Sequence, residues 1–270
     1  MTRIQLVCTD LDGVLLTSAG GLSPDTRAAL ADARAAGLQV MVATGRPTRD
    51  ALDWALEAGI QGLIACSNGA VMWDTRAGRV LFDHCFTAGQ VEQVFAWAGR
   101  SVRGAVLGID TEHELVLQPG FADLVPDCWP HEVSADLVGR VTRDNRVVKV
   151  LVAHPELSAP QLADAFGGGT VAGVRATFST MHFLEISPEH ANKGEALRWA
   201  AAHRRVPLAA TAAVGDMPND IPMLRKAGLP AAVANAHPEV KAAARILLPS
   251  NDDDGVASLI HGILLRRTIG

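Results

Sequence analysis

Residues 3–9, RIQLVCT, make an apolar, β-prone run that leads into a glycine-containing loop, the pattern of a buried parallel strand. The next block, LSPDTRAALADARAAG, carries signals for a helix at both ends. Ser23 stands as N-cap, Pro24 takes the first helical position, Asp25 sits in the electropositive first turn and Gly37 lies just beyond the last. LQVMVATGR reads as a second apolar strand ending in a polar loop at Thr44 to Arg46. A helix follows over about Pro47 to Ala58, then a third short strand, LIACS, which ends at SNGA, Ser67 to Ala70. Strands that alternate with helices, each leaving polar residues at its carboxyl end, predict an open parallel sheet. Ligands of such sheets bind outside those carboxyl ends.

After about Phe82 the rhythm changes. The stretch to about Ile186 mixes a helix (TAGQVEQVFAWAG), strands (VRGAVLGID, ELVLQ), a loop rich in Pro and Asp, a strand (RVVKVLVAH), a helix (APQLADAFGG) and two more strands (VRATFST, HFLEIS). Strands without regular crossovers predict a separate α+β domain over residues 83–187. The first rhythm then returns: helix NKGEALRWAAAHRR, strand TAAVGD, helix NDIPMLRKAG, strand AAVAN, helix HPEVKAAAR, strand ILLP, and a last helix from about Asp254. The expected fold class is α/β: a doubly wound, Rossmann-like parallel-sheet core from residues 1–82 and 188–270, with the α+β domain inserted between its halves.

Composition supports two domains, since 270 residues exceed the usual size of one compact domain and 49% of them are hydrophobic. The formal net charge of −5 excludes broad binding to nucleic acid or an anionic membrane, which needs a basic surface. Cys8, Cys66, Cys85 and Cys128 show no metal-binding spacing and read as buried thiols of a reducing compartment. The amino-terminal apolar run is short and broken by Gln5, so the expected location is the cytoplasm and the expected state a monomer or homodimer.

The candidate chemistry lies at the strand ends. In CTDLDGVLLTS, Asp10 and Asp12 would point to one side if the extended backbone ran through both. Two carboxylates in one pocket repel unless a cation lies between them, and oxygen-only ligation favours magnesium. Taken alone, the same pattern fits a solvated turn. The second acidic cluster, GDMPND, sets Asp216 at a strand end with Asp220 one helical turn further on; by itself it also fits a helix start with carboxylates suited to the dipole. Thr44, Gly45 and Arg46 offer a hydroxyl, close backbone approach and a guanidinium for a phosphate, or else a loop with a surface arginine. Lys193 opens a helix, where a cation is mildly unfavourable, and this misplacement hints at function. Serine-nucleophile, P-loop and histidine metal signatures are absent.

The order of these motifs is more specific than any one of them. DLDGV, Thr44 in ATGRP, Lys193 in NKGEAL and Asp216 with Asp220 in GDMPNDIPML resemble the four motifs of the haloacid dehalogenase superfamily; SNGA, NAHPEVKAAA and NDDDGVASLI resemble its Cof-type sugar-phosphate phosphatases. The resemblance implies a magnesium-dependent phosphatase of small phosphate monoesters. Asp10 would be the nucleophile that becomes an aspartyl phosphate, and Asp12 the acid and base. Thr44 and Lys193 would hold phosphoryl oxygens, with Gly45, Arg46, Asn68 and Asn219 completing the phosphate and substrate contacts. Magnesium would be held by Asp10, the main-chain carbonyl of Asp12, Asp216 and Asp220. The inserted domain would be a cap that selects the leaving group. Two departures stand out: Val14 replaces a common threonine, and Pro230 in GLPAAVANA is expected to alter a loop near the metal. A phosphomutase of the same superfamily, or a sugar-phosphate binder without turnover, are the alternative readings.

Overall fold

The computed structural model describes residues 3–57, 59–111, 113–126, 128–141, 146–167 and 171–269. They divide into two compact units, Met1–Phe82 with Asn192–Gly270, and Asp83–Ala191.

Strand β1 (Leu6–Thr9) buries all four of its side chains. Arg3 to Gln5 stand outside it, although the Gln5 N–H still donates to Ala210 O at 2.8 Å. Helix α1 (Pro24–Ala35) has the predicted ends: Ser23 Oγ accepts from the Thr26 N–H at 2.9 Å, a cap that stabilises a helix by about 1 kcal/mol, and Gly37 leaves it at φ +66°. Next come β2 (Gln39–Ala43), α2 (Thr48–Glu57) and β3 (Leu63–Cys66). Ala58, the expected end of α2, lies outside the described residues. No α-helix follows β3 before the chain reverses. The chain turns at Ser67–Gly69 and comes back as β4 (Val71–Asp74), antiparallel to β3 with Met72 opposite Ala65, and then β5 (Arg79–Asp83). The expected all-parallel sheet thus gains a hairpin at one margin. Its turn is built by Asp74, whose Oδ1 accepts from the Arg76 N–H at 2.9 Å, and by Gly78 at φ +62°.

The second unit contains α3 (Ala88–Ser101), β6 (Val106–Thr111), β7 (Leu115–Leu117), α4 (Phe121–Leu124), β8 (Glu132–Val133), β9 (Val147–Ala153), α5 (Ala159–Phe166), β10 (Val174–Thr177) and β11 (Phe183–Pro188). Gly168, at the expected end of α5, lies outside the described residues. The six strands form one sheet in the order β10-β11-β9-β6-β7-β8. One face carries an apolar core with α3 and α5, in which Trp97 meets Phe166 edge to face at 4.7 Å.

The core unit resumes with α6 (Lys193–His203), β12 (Thr211–Gly215), α7 (Ile221–Lys226), β13 (Leu229–Val233), α8 (Pro238–Ala243), β14 (Ile246–Leu248) and α9 (Gly255–Ile269). Its sheet has the order β14-β13-β12-β1-β2-β3-β4-β5, and β1 is central, pairing in parallel with β12 and with β2. From β1 the chain winds outward through β2 and β3; from β12 it winds the other way. The order therefore reverses between β1 and β12, and a doubly wound sheet opens its ligand crevice at that switch point.

Pro230 lies within β13 opposite Ala213, and its carbonyl accepts from the Arg245 N–H at 2.9 Å, so the expected loop change is instead a position in the sheet. Val14 is buried in the core. No disulfide joins the four cysteines; Cys8 and Cys66 are buried, whereas Cys85 and Cys128 are only partly so. No described helix is long and apolar enough to cross a membrane.

Candidate active site

The ladder of β1 continues one residue past the strand, with the Asp10 N–H donating to Val214 O at 3.0 Å. Asp10 Oδ1 then accepts from the Leu11 N–H at 2.7 Å, and the chain turns away at Gly13 with φ +68°. A Cβ at position 13 would stand 2.5 Å from Asp216 Oδ2, so only glycine lets this turn pass the second acidic cluster. The turn also overrides the expectation that Asp10 and Asp12 share a side. Asp10 is buried, while the Asp12 carboxylate is exposed and lies on Arg46, whose Nε and Nη2 donate to its two oxygens at 2.8 and 2.6 Å.

Lys193 occupies the first position of α6, capped by Asn192 Oδ1, which accepts from the Glu195 N–H at 3.0 Å. Its ammonium is fully buried and lies 2.8 Å from Asp10 Oδ1 and 2.7 Å from Asp220 Oδ1. Two carboxylates thus outweigh the unfavourable end of the helix dipole. The next residue, Gly194, allows α6 and α7 to touch, since a Cβ there would stand 2.5 Å from Pro222 O. Asp220 uses its other oxygen on the turn after β12: Oδ2 accepts from the N–H groups of Asp216 and Met217 at 2.9 and 3.1 Å. Asp220 therefore positions both the lysine and the loop that carries Asp216.

Thr44 is fully buried at the end of β2, and its Oγ1 accepts from the Arg46 N–H at 3.0 Å, across the half-buried Gly45. The Thr44 hydroxyl keeps its own proton to donate. Beyond β3, Ser67, Asn68 and Gly69 follow one another at φ +49°, +58° and +94°. This turn brings Asn68 Oδ1 to the Asn219 Nδ2, which donates to it at 3.0 Å. Asn219 Oδ1 and Ser67 Oγ are buried with no hydrogen-bond partner. Ser67 is a site-lining residue that motif reading passes over; its signal was the polar triplet directly after an apolar strand. Asn235 is another, donating from Nδ2 to Gly13 O at 2.8 Å and so bracing the turn after Asp10.

Burial, reinforced by Asp220, raises the Asp10 carboxyl well above the ordinary carboxylate range, although Lys193 pulls it back. The same two causes push Asp216 up to about 7. Burial works to lower the Lys193 ammonium, but Asp10 and Asp220 together outweigh it and hold the pKa raised. Burial likewise raises the thiol of Cys8, behind Asp10.

The residues present suit a divalent cation. Asp10, Asp216 and Asp220 each offer a carboxylate oxygen, all within 4.8 Å of one another, and Asp216 Oδ1 is buried without a partner. Three carboxylates against one ammonium leave an uncompensated negative charge, and the donors are all hard oxygens. The Asp12 carboxylate stands outside this set.

A family profile described as haloacid dehalogenase-like hydrolase matches residues 7–260 of the chain. The chain is 27% identical over 288 residues to the phosphatase YwpJ of Bacillus subtilis, covering 97% of this chain and 100% of that protein. It is 28% identical over 273 residues to the pyridoxal phosphate phosphatase YbhA of Escherichia coli, covering 97% and 99%. A solved haloacid dehalogenase-like hydrolase from B. subtilis matches with a TM-score of 0.83 at 25% identity, over 96% of this chain and 99% of that one.

Proposed function

Because the chain belongs to the haloacid dehalogenase-like hydrolases, in their Cof-type branch, and is a phosphoric monoester hydrolase, we propose that it hydrolyses small phosphate monoesters, sugar phosphates first among them, with magnesium and through an aspartyl phosphate on Asp10. The observation that carries this reading is the buried group of Asp10, Asp216 and Asp220 around Lys193, with Asp216 Oδ1 left unpartnered.

Asp10 Oδ1 is held by the Leu11 N–H and the Lys193 ammonium, so Oδ2 is the oxygen that attacks. It bonds to phosphorus while the bond from phosphorus to the ester oxygen breaks, and the leaving oxygen takes a proton from Asp12. In the second step Asp12 takes a proton from water, the water oxygen bonds to phosphorus, and Asp10 is released together with inorganic phosphate. Asp10, Asp216 and Asp220 would hold magnesium, which would supply charge stabilisation for the phosphoryl oxygens. Lys193 and the Thr44 hydroxyl hold those oxygens from the protein side, with the Asn68 and Asn219 pair beside them.

Arg46 adds a control on Asp12. Its Nε and Nη2 bond to both oxygens of the Asp12 carboxylate and so hold it away from the other acidic side chains. An arriving phosphoryl group offers Arg46 a second anion, and its transfer from Asp12 to phosphate would free the Asp12 oxygens to meet the reacting groups. The second unit is the part that selects the leaving group.

The test is release of inorganic phosphate from p-nitrophenyl phosphate. Chelation should abolish turnover and added magnesium should restore it; a rate indifferent to chelator removes the metal from the scheme. Asp10→Asn should reduce turnover below detection, and near-normal turnover in that variant would end the covalent route.

A further inference from the structure

The amino-terminal edge of the core sheet, opposite the edge that carries Asp10, opens a cavity of about 490 Å³. Its floor is apolar and buried: Leu6 at the start of β1, Leu38 and Met41 around the start of β2, and Leu63 at the start of β3. Its rim is basic. Arg34, Arg76, Arg204 and Arg205 line it together with His203, and none of the described lining residues is acidic. The chain as a whole carries a net charge of −5, so this gathering of one sign is a local reversal. Along β1 the distance from Leu6 to Asp10 is roughly 13 Å, so the cavity lies well away from the catalytic edge.

Helix ends account for part of this charge and not for the rest. Arg34 lies in the last turn of α1 and Arg204 caps α6, where cations suit the dipole. Arg76 belongs to the turn between β4 and β5 and to no helix. Arg205 is the sharper case. It follows the cap of α6 at φ +56°, the place where α1 puts Gly37 at φ +66°. Glycine holds that conformation freely, and a residue with a side chain does so at a cost. Among the described residues, the side chains of Arg76, Arg204 and Arg205 have no ion-pair or hydrogen-bond partner. Like charges lining one concave surface repel, and an anion between them removes the conflict.

We infer that this cavity binds a nucleoside polyphosphate, with the phosphates on the guanidinium groups of Arg76, Arg204 and Arg205 and the base over the apolar floor beside His203. Arginine suits both halves of such a ligand, since it bonds phosphate oxygens in pairs and stacks on a π face. His203 adds a ring held flat on Trp199, at 4.7 Å between centroids and 12° between planes. The volume is that of an ordinary small-molecule pocket. A bare polyanion would leave the apolar floor uncovered, and a fatty acid, with its single charge, would leave most of the guanidinium groups unanswered. The nucleotide touches the starts of β1, β2 and β3, whose other ends lead to Asp10, Thr44 and Ser67, without meeting the reacting groups.

The test is calorimetric titration of the full chain with ADP, adenosine and pyrophosphate, in chelator so that the acidic cluster holds no metal. ADP should bind the wild type in the micromolar range, pyrophosphate at least about tenfold more weakly and adenosine not at all. Arg76→Ala and Arg205→Gly should each weaken ADP binding about tenfold, the size of one charge-assisted hydrogen bond. Arg205→Gly should at the same time hold or raise the melting temperature, since glycine suits the backbone at φ +56°. A fall in melting temperature together with the lost binding would make this arginine structural and overturn its assignment. Arg46→Ala, at the catalytic edge, should leave ADP binding unchanged. A dissociation constant for ADP above about 1 mM would overturn the inference. So would unchanged binding in both cavity variants, or a loss confined to Arg46→Ala, which would put the nucleotide in the active site. Pyrophosphate binding as tight as that of ADP would overturn the nucleotide assignment.

Discussion

The two sheets of this chain bury their charges in different places. In the core unit, Asp10 and Asp216 follow the ends of β1 and β12, and Lys193 begins α6. In the second unit, Asp110, Lys149 and Glu185 lie inside β6, β9 and β11. The difference follows from sheet type. A parallel sheet with helices on both faces has no face to spare, so its polar chemistry collects where the strands stop. An antiparallel sheet packed by helices on one side keeps a second face, and polar side chains can stand on it in mid-strand.

The largest effect that tests this contrast belongs to the core. Asp12→Ala should lower kcat for p-nitrophenyl phosphate by roughly 10²- to 10⁴-fold, the usual scale of general acid and base help. A loss below tenfold would take Asp12 out of the chemistry and leave it as a partner for Arg46. In the second unit, Lys149→Met alone should cost about 3–5 kcal/mol by urea unfolding, because the buried Glu185 carboxylate loses its ammonium; adding Glu185→Leu should recover most of it. Failure of the second change to rescue would mean that the pair is structural, as the core carboxylates are not. A smaller effect comes from protons. Asp216 is raised to about 7, so in the metal-free protein it holds a proton that magnesium must displace, and magnesium affinity should fall about tenfold per pH unit below that value. The sign for stability is fixed by the same shift. The native state binds more protons than the unfolded chain between the ordinary carboxylate range and about 7, so this contribution is full at low pH and fades as pH rises through 7. Magnesium should therefore raise the melting temperature more at pH 8 than at pH 5.5. An increment equal at both would mean that Asp216 is not a ligand.

The same contrast decides what could be read from the chain alone. Strand ends announce themselves: an apolar run stops and a carboxylate, hydroxyl or amide follows, so Asp10, Thr44, Asn68 and Asp216 were legible, as was the cap at Ser23. The direction of a side chain after the strand stops was not legible. Asp12 was expected beside Asp10, and the turn at Gly13 sent it to Arg46 instead. The hairpin of β4 and β5 was missed because Val71 to Asp83 lacks the two-residue turn signal of tight hairpins and instead relies on Asp74 and Gly78. Within the second unit, Lys149 and Glu185 looked like ordinary polar residues in strands. Only the register, which no local pattern states, shows that they meet.

The central position of β1 also has a consequence for how the molecule is made. Its two neighbours are β2, close by in sequence, and β12, which begins only at Thr211. At ordinary rates of synthesis, on the order of ten to forty seconds separate the appearance of β1 from that of its second partner. During that interval LVCT has one unpaired edge and Asp10 has neither Lys193 nor the Asp216 loop. The second unit, contiguous from Asp83 to Ala191, has every strand of its sheet in hand before the core can close. Exposure to aggregation or proteolysis in the nascent chain is therefore concentrated in the central, fully buried strand of the catalytic half, and ends only when β12 emerges.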